Sequence, residues 1–587
     1  MKLTITRSKN AVCFYIQKSV RKENGKISSV TIEKLGNLEQ VKTRACGKDP
    51  YKWAKDYVEE LNRKEYEEHK EIIVSFSPSK LIEKDKQKAF NCAYLFLQDI
   101  YYDLKLDKIC RKISEKYSFK YDLNDVLSKL IFTRILYPAS KLSSYALSKK
   151  LLEQPSFNLQ DIYRGLTVLA KENDYIQAEL YKNSQKILER RKDILYYDCT
   201  NYYFEIEMED DFRLFGKSKQ NQPHPLVGMG LFMDADGIPM AFTMFPGSVE
   251  AGTMRPLEKK IIKDFGVENL VVCTDAGLSS TVDRKFNDLQ LGGVNVRSFI
   301  TVQSLKKMKA RFQEWALDTK GWHLIGDKNE YDLSKLDDEK DKDKIFYKEQ
   351  WIKEDISRKK EKAGVKPLEQ RLIVSYSIKY RNYLRHIREG QLERAQKMIE
   401  KGDDRPANTQ NNPRRFIAHN HSTEDGEVCT KDVAYLNTAT VSEEEKYDGF
   451  YAVCTNLEKT PIDEIIRVNK RRWEIEECFR IMKTDFLAGT IFLQRKDRIT
   501  AHFLTCFMAL FIYRILEKKL NNKYTCEQIL STLKDMMILR LKDNAGYTPA
   551  YTRTDITDSL HEAFGFRTDY EITSNKSMRS IISKTKN

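Results

Sequence analysis

Three carboxylates in the chain sit where a carboxylate needs a reason. Asp198 lies inside the apolar stretch ILYYDCT, Asp275 ends the apolar stretch LVVCTD, and Glu476 lies in RRWEIEECFR, which has helical spacing. A charge inside an apolar strand costs several kcal/mol unless it is paired or bound to a metal. A carboxylate at the C-terminal edge of a parallel strand faces the crevice that such edges share. If the strands of Asp198 and Asp275 are neighbours, the two side chains share a divalent ion and the helix brings Glu476 from one side. Two such ions about 4 Å apart activate a water or a 3′-hydroxyl and stabilise the leaving oxygen of a phosphodiester. For Asp198 alone, a buried Asp capping a turn is the other reading. The order of all three along the chain favours a set that is catalytic and metal-ligating together.

The helix that carries Glu476 adds two cations. At roughly 100° per residue, Arg472, Glu476 and Lys483 fall at about 0°, 40° and 20°, on one face. Ile475, Phe479, Met482 and Phe486 gather on an adjacent face that can pack on a sheet. Two cations beside a metal-bound carboxylate suit a DNA phosphate; an i, i+4 Arg–Glu pair on a solvated helix suits the same residues. Tyr451, in GFYAVCT, is a candidate for stacking on a flipped base, with core packing as the alternative. Trp473 reads as core. No HxH or HxxxH ligand pair occurs, and Gly228 and Gly230 in VGMGL read as strand glycines, not a phosphate loop.

These residues need an α/β frame. Residues 1–80 predict a β-rich segment followed by a charged helix, and residues 81–190 a helical domain with recurrent i, i+3, i+4 apolar positions. That domain contains RILYPASKLSSYALSKKLL, a Pro-broken basic stretch that suits either DNA or an ordinary solvated face. From 191 to 302 the runs ILYYDCTNYYFEIE, PLVGMGLFMD and IPMAFTMFPG read as consecutive strands. A helix ending at Gly266 and the strand LVVCTD come next. Three strands, a helix and a further strand predict the opening of an RNase H-like α/β core. Residues 303–447 are strongly charged but hold strand-like islands, so they predict a β-containing insertion into that core. Residues 448–520 resume it, with a strand and one long helix opened by Pro461. Residues 521–587 predict a C-terminal helical region and a basic tail that lacks periodicity after Phe566.

Lys plus Arg number 101 against 86 Asp plus Glu, a net charge of +15. Such an excess favours a polyanionic partner through counterion release, and equally suits a solvated basic surface. The eleven Cys form no CxxC pair and sit singly in apolar runs, which predicts buried free thiols in a reducing compartment. MKLTITRSKN lacks the apolar segment of a signal peptide. The longest apolar run, Phe503 to Tyr513, is too short to span a bilayer and reads as a buried helix. A cytoplasmic protein with no membrane partner is expected.

RRWEIEECFRIMK resembles the signature of DDE transposases of bacterial insertion sequences, in which Tyr, Arg, Glu and Lys are separated by two, three and six residues. Arg472, Glu476 and Lys483 fit that spacing, and Asn469 stands where the family has Tyr. DCTNYYFE, the run from GKSKQNQPHP to GSVEAGTM, VVCTDAGLSS and LQRKDRITAHFLTCFMAL are similar to the family's other blocks. The resemblance implies Mg²⁺, with Mn²⁺ substituting, and a β-rich insertion between the second Asp and the Glu. It also implies double-stranded DNA as partner, both terminal inverted repeats and target, with a homodimer in the DNA complex. The implied activity is excision and strand transfer of an insertion sequence, often through a hairpin at the element's end. A transposase-derived DNA binder that no longer cuts, and an RNase H-like nuclease of other purpose, are the alternatives; the intact carboxylate set weighs against the first.

Overall fold

The computed structural model describes residues 1–8, 11–21, 27–45, 49–68, 74, 76–220, 222–248, 252–267, 269–278, 280–291, 294–354, 367–403, 405, 412–422, 428–542 and 545–587. The chain divides into two compact units, Met1–Lys86 with Leu541–Gly546, and Gln87–Arg540 with Tyr547–Asn587. In the first, β1 (Lys2–Ser8), β2 (Ala11–Arg21) and β3 (Ile27–Asn37) form an antiparallel sheet backed by α1 (Leu38–Arg44) and α2 (Pro50–Glu68). Strand alternation turns Phe14 and Ile16 inward against Leu35, Val41, Ala54 and Val58. Three strands and two helices occupy the stretch read as a β-rich segment and a charged helix, and the turn at ENGK lies outside the described residues.

The second unit opens with β4 (Ala89–Asn91) and six helices: α3 (Tyr94–Asp103), α4 (Leu106–Lys116), α5 (Leu123–Leu136), α6 (Lys141–Ser148), α7 (Leu159–Lys171) and α8 (Asn173–Ser184). Asp122, Ser140 and Asn158 cap α5, α6 and α7 through their side chains, which satisfies amide groups left open at each start. The RILYPASK stretch runs inward, not over a solvated face, because Arg134 and Lys141 are both buried.

The central sheet has eleven strands. β5 (Ile194–Tyr203), β6 (Leu226–Asp234) and β7 (Pro239–Pro246) are antiparallel neighbours. α9 (Met254–Phe265) then ends at Gly266, whose φ of +66° makes a left-handed cap, and crosses to β8 (Leu270–Thr274). α10 (Thr281–Phe286) and β9 (Leu289–Leu291) precede β10 (Val294–Gln303). β8 runs parallel to β5, and β10 parallel to β8. A Cβ at Gly230 of β6 would lie 2.3 Å from Tyr197 Oη, so that glycine makes room for the ring.

Residues beyond β10 extend this same sheet. They form α11 (Ala310–Leu317), β11 (Trp322–Leu324), β12 (Glu330–Tyr331), β13 (Phe346–Glu354), β14 (Leu368–Tyr376) and the 23-residue α12 (Ile378–Glu400). A hairpin of β15 (Ile417–Ser422) and β16 (Val428–Leu436), then α13 (Thr438–Glu445), leads back to β17 (Phe450–Thr455). The strand order is β12-β11-β13-β14-β17-β10-β8-β5-β6-β7, with β9 on β10. The stretch 303–447 therefore supplies four strands of the central sheet as well as a hairpin of its own.

Three expectations change beyond β17. The long helix is two, α14 (Ile462–Lys470) and α15 (Trp473–Arg480), followed by a π turn over Ile481–Asp485. The apolar run from Phe503 extends into α16 (Lys496–Lys519), 24 residues, long and apolar enough to cross a membrane; 94% of its apolar window is buried inside the fold. It is the core onto which α3, α5, α7 and β7 pack. After α17 (Cys526–Asp535), β18 (Met537–Arg540), β19 (Tyr547–Pro549) and α18 (Asp555–Phe564), the tail forms α19 (Asn575–Lys584). Ser574 caps α19 and Met578 is buried, so this basic segment is a docked helix.

Because β14 pairs with β17 from Arg371↔Thr455 to Tyr376↔Phe450, replacing about residues 310–440 with a short linker should leave β17 with an open edge. Unpaired edges template aggregation, so the truncated chain should run as soluble aggregate or precipitate in size exclusion. A monodisperse truncated protein would show that β17 tolerates exposure.

Candidate active site

β5 and β8 pair in parallel from Ile194↔Val271 to Tyr197↔Thr274. The next position in that register is Asp198 beside Asp275. Neighbouring strands lie about 4.8 Å apart and side chains alternate faces, so the two carboxylates leave the same face side by side. The face of β5 that carries Asp198 also carries Tyr196 and Tyr202. Tyr196 Oη donates to the Val468 carbonyl of α14 at 2.9 Å, and α15 packs on β5. Apolar contacts thus bring the Glu476 helix to this face, with Ile475, Phe479, Met482 and Phe486 all buried as expected.

The helix break at Arg471–Arg472 changes what the face presents. Arg472 caps α15 with helical dihedrals and its guanidinium sits between two carboxylates, 3.6 Å from Asp275 Oδ1 and 3.8 Å from Glu476 Oε1. It also donates to Tyr451 Oη at 3.5 Å, while its Nε is buried without a partner. Lys483, in the π turn, goes elsewhere. Its Nζ stacks 5.4 Å from the Tyr202 ring centroid and its charge faces Asp198. So the three residues expected on one helix face are divided: Arg472 serves Asp275 and Glu476, and Lys483 serves Asp198. Glu476 is 65% exposed at its side chain, turned toward solvent.

Asp198 is the strained member. Burial pushes its carboxyl up to about 6, opposed by Lys219 and Arg472 and by the Cys199 amide, which donates to Oδ1 at 2.7 Å; the Asp275 charge adds to the rise. Lys219 was not singled out by sequence, although it lies in GKSKQNQPHP. Its ammonium donates to the Cys199 carbonyl, next to Asp198. Burial, then the Lys219 charge, lowers Lys483 to about 8, with Asp198 opposing.

Beside the carboxylates lies a cleft of about 520 Å³. Ile373, Tyr451 and Val453 of β14 and β17 floor it, α15 supplies Arg472, Trp473 and Glu476, and α12 supplies Tyr380 and Tyr383. Tyr451 is half-buried with its ring 6.1 Å from that of Tyr380. Trp473, expected in the core, is 60% exposed; at about 100° per residue it lies roughly 150° around the helix from the buried Ile475, Phe479, Met482 and Phe486. Tyr380 and Tyr383, spaced i, i+3 in YSIKYRNY, are the aromatic residues that sequence reasoning missed. Asn469, in the Tyr position of the resembled signature, is buried and its Oδ1 has no partner.

Among the described residues no group of three His, Cys, Asp or Glu is gathered closely enough to hold a metal. The all-oxygen donors Asp198, Asp275 and Glu476 nevertheless suit a hard divalent ion, and the Arg472 cation stands between the last two. Nine cysteines whose side chains are described are free thiols, and eight of these are buried. A family model described as a transposase DDE domain matches residues 218–512. No curated protein matches the chain.

The raised Asp198 carboxyl has a testable sign. A carboxyl at about 6 when folded, against an ordinary value of about 3.9, binds its proton more tightly in the folded chain. That contribution is full below about pH 4 and is lost as pH rises through about 6. Asp198→Asn should therefore stabilise the metal-free protein near neutral pH, by on the order of 2–3 kcal/mol, and the gain should vanish toward about pH 4. Scanning calorimetry across pH measures it, and identical midpoints at every pH would mean that the carboxylate is not desolvated.

Proposed function

The chain belongs to the transposase DDE domain family, and on that premise we propose that it excises and inserts a mobile DNA element by divalent-metal phosphodiester chemistry. Asp198, Asp275 and Glu476 are the metal-holding carboxylates. What carries this is the register of β5 on β8, which sets Asp198 and Asp275 side by side under α15. The sheet order β7-β6-β5-β8-β10, with three antiparallel strands and β5, β8 and β10 parallel, supports an RNase H-like core. It likewise supports reading 303–447 as an insertion between the strand of Asp275 and the helix of Glu476.

The chain's own residues have distinct tasks in this scheme. Mg²⁺ (or Mn²⁺) bound at the three carboxylates would polarise the scissile phosphate and acidify the attacking hydroxyl. Converging the carboxylates requires the Arg472 guanidinium to turn from Asp275 and Glu476 to another anion. A DNA phosphate is that anion, since the buried Nε of Arg472 is an unfilled donor. Lys483, held against Tyr202, places a second cation beside the phosphate at Asp198. The cleft of Tyr451, Trp473, Tyr380 and Tyr383 lies next to these groups. It suits an unstacked base at a DNA end, because aromatic faces stack on bases at about 1–3 kcal/mol each. Terminal repeats and target DNA are the substrates, with two copies of the chain pairing two ends.

Glu476→Gln and Asp275→Asn should abolish cleavage of an end duplex in Mg²⁺ while binding it normally in Ca²⁺. Arg472→Ala and Lys483→Ala should each reduce the salt dependence of binding by about one unit. Wild-type cutting by Glu476→Gln would sink the metal assignment. Salt-dependent binding by a wild type that never cuts would instead identify a DNA binder descended from a transposase.

A further inference from the structure

Away from the carboxylates, the fold buries a second charge cluster, of opposite sign. Lys141 opens α6 and is 5% exposed, yet its Nζ is buried without a hydrogen-bond partner. Beside it lie Arg134 and His502, both almost fully buried. Arg134 donates to the carbonyls of Phe486 at 3.0 Å and Ala139 at 2.9 Å, and its Nε has no partner. His502 Nε2 is 3.0 Å from the Ala488 carbonyl oxygen. Burial first, then Arg134, lowers Lys141 to about 7, with the Cys506 thiol opposing; burial, Lys141 and Arg134 lower His502. No carboxylate among the described residues figures in either set.

A buried ammonium that serves only packing is normally paired with a carboxylate or neutral acceptor, because an unpaired charge is costly. Here the cluster instead lines a cavity of about 380 Å³, whose mouth is formed by exposed Leu142 and Phe492. The N-terminus of α6, capped by Ser140, adds the positive end of a helix. Arg498, stacked 5.3 Å from the Tyr163 ring on the cavity wall, has a further buried Nε without a partner. Thr490, Ile491, Phe492 and Leu493 form a wall of this cavity and also of the pocket that holds Tyr202 and Lys483. The cavity therefore adjoins the Lys483 end of the candidate active site.

We propose that the cavity of Arg134, Lys141 and His502 is an anion site that seats a phosphate of the DNA backbone beyond the Lys483 end of the candidate active site. This rests on the DNA-processing function proposed above. The bound phosphate supplies the counter-charge that the fold withholds from Lys141, and the site lengthens the protein's grip on the strand beyond the reacting end.

Lys141→Met keeps the side-chain volume and removes the unpaired charge. It should leave the thermal midpoint unchanged or higher, lower affinity for an end duplex about tenfold, and reduce the salt slope by about one. Lys141→Arg should retain most of the affinity, and Leu142→Glu, at the exposed mouth, should weaken binding with no change in midpoint. If the wild type binds duplex and Lys141→Met binds it with the same affinity and slope, the site is overturned while the DNA function stands. If the wild type binds no duplex, the DNA function itself fails. A Lys141-dependent rise in midpoint with inorganic phosphate, but equal DNA slopes, would make this a free-phosphate site and overturn the backbone assignment. A Lys141→Met protein that does not fold would make the lysine structural and overturn it too.

Discussion

Parallel pairing of β5 with β8 forces two carboxylates together, one of them inside the sheet, and the polar structure around them answers the cost of burying and crowding their charge. Two unit charges about 5 Å apart interact by on the order of 3 kcal/mol at the effective dielectric of a protein surface. Asp275 meets it by facing solvent and Arg472. Asp198, inside the sheet, holds its proton more tightly chiefly because it is buried, with the Asp275 charge adding to the rise, and Lys219, Lys483 and Arg472 gather around it. The cations come from three separate places in the chain, a loop after β5, a π turn and a helix cap, so only the closed fold assembles them.

The break between α14 and α15 is part of that answer. A continuous helix would carry Arg472 and Lys483 on one stripe with Glu476 between them. The break and the π turn instead leave Arg472 between Asp275 and Glu476 and place Lys483 over Tyr202, where Asp198 acts on its charge. A π turn adds a residue to the helical ladder and re-aims the side chains after it, and such turns gather at functional sites. Trp473, on the side of α15 away from its buried Ile475 and Phe479, joins the aromatic cleft.

Much of this frame is legible in the sequence, because it depends on hydrophobic runs. β5, β6, β7, α9 and β8 lie where ILYYDCT, PLVGMGLFMD, IPMAFTMFPG, the amphipathic helix ending at Gly266 and LVVCTD place them. Asp198 and Asp275 could be picked out because one interrupts and the other ends an apolar run, and Glu476 by its spacing from Arg472 and Lys483 on one helix. The α14–α15 break could not, since no Pro or Gly marks Arg471–Arg472 and the apolar periodicity runs straight through it. Trp473 lies opposite the apolar stripe of Ile475, Phe479, Met482 and Phe486, so its residue type alone suggests the core. Tyr380 and Tyr383 reach the site from a helix nearly a hundred residues upstream, a contact that only the β14–β17 pairing creates. Lys141 and Arg134 read as a basic surface because charge in a sequence carries no sign of burial. The tail's α19 was hidden for a related reason: a ten-residue helix with few apolar positions is held by Met578 and by its cap, not by propensity.

Lys483 and the cluster of Arg134, Lys141 and His502 lie on either side of the wall of Thr490, Ile491, Phe492 and Leu493. The two sides differ in how their charge is met. The carboxylates on the Lys483 side already have cations, Arg472 at Asp275 and Glu476, and Lys219 and Lys483 about Asp198. Lys141 has no hydrogen-bond partner for its Nζ. A fold selected only for stability would pair it with a carboxylate or replace it with an apolar group of similar volume. Leaving it without one makes sense when the missing charge arrives with a bound anion, the role proposed for a backbone phosphate.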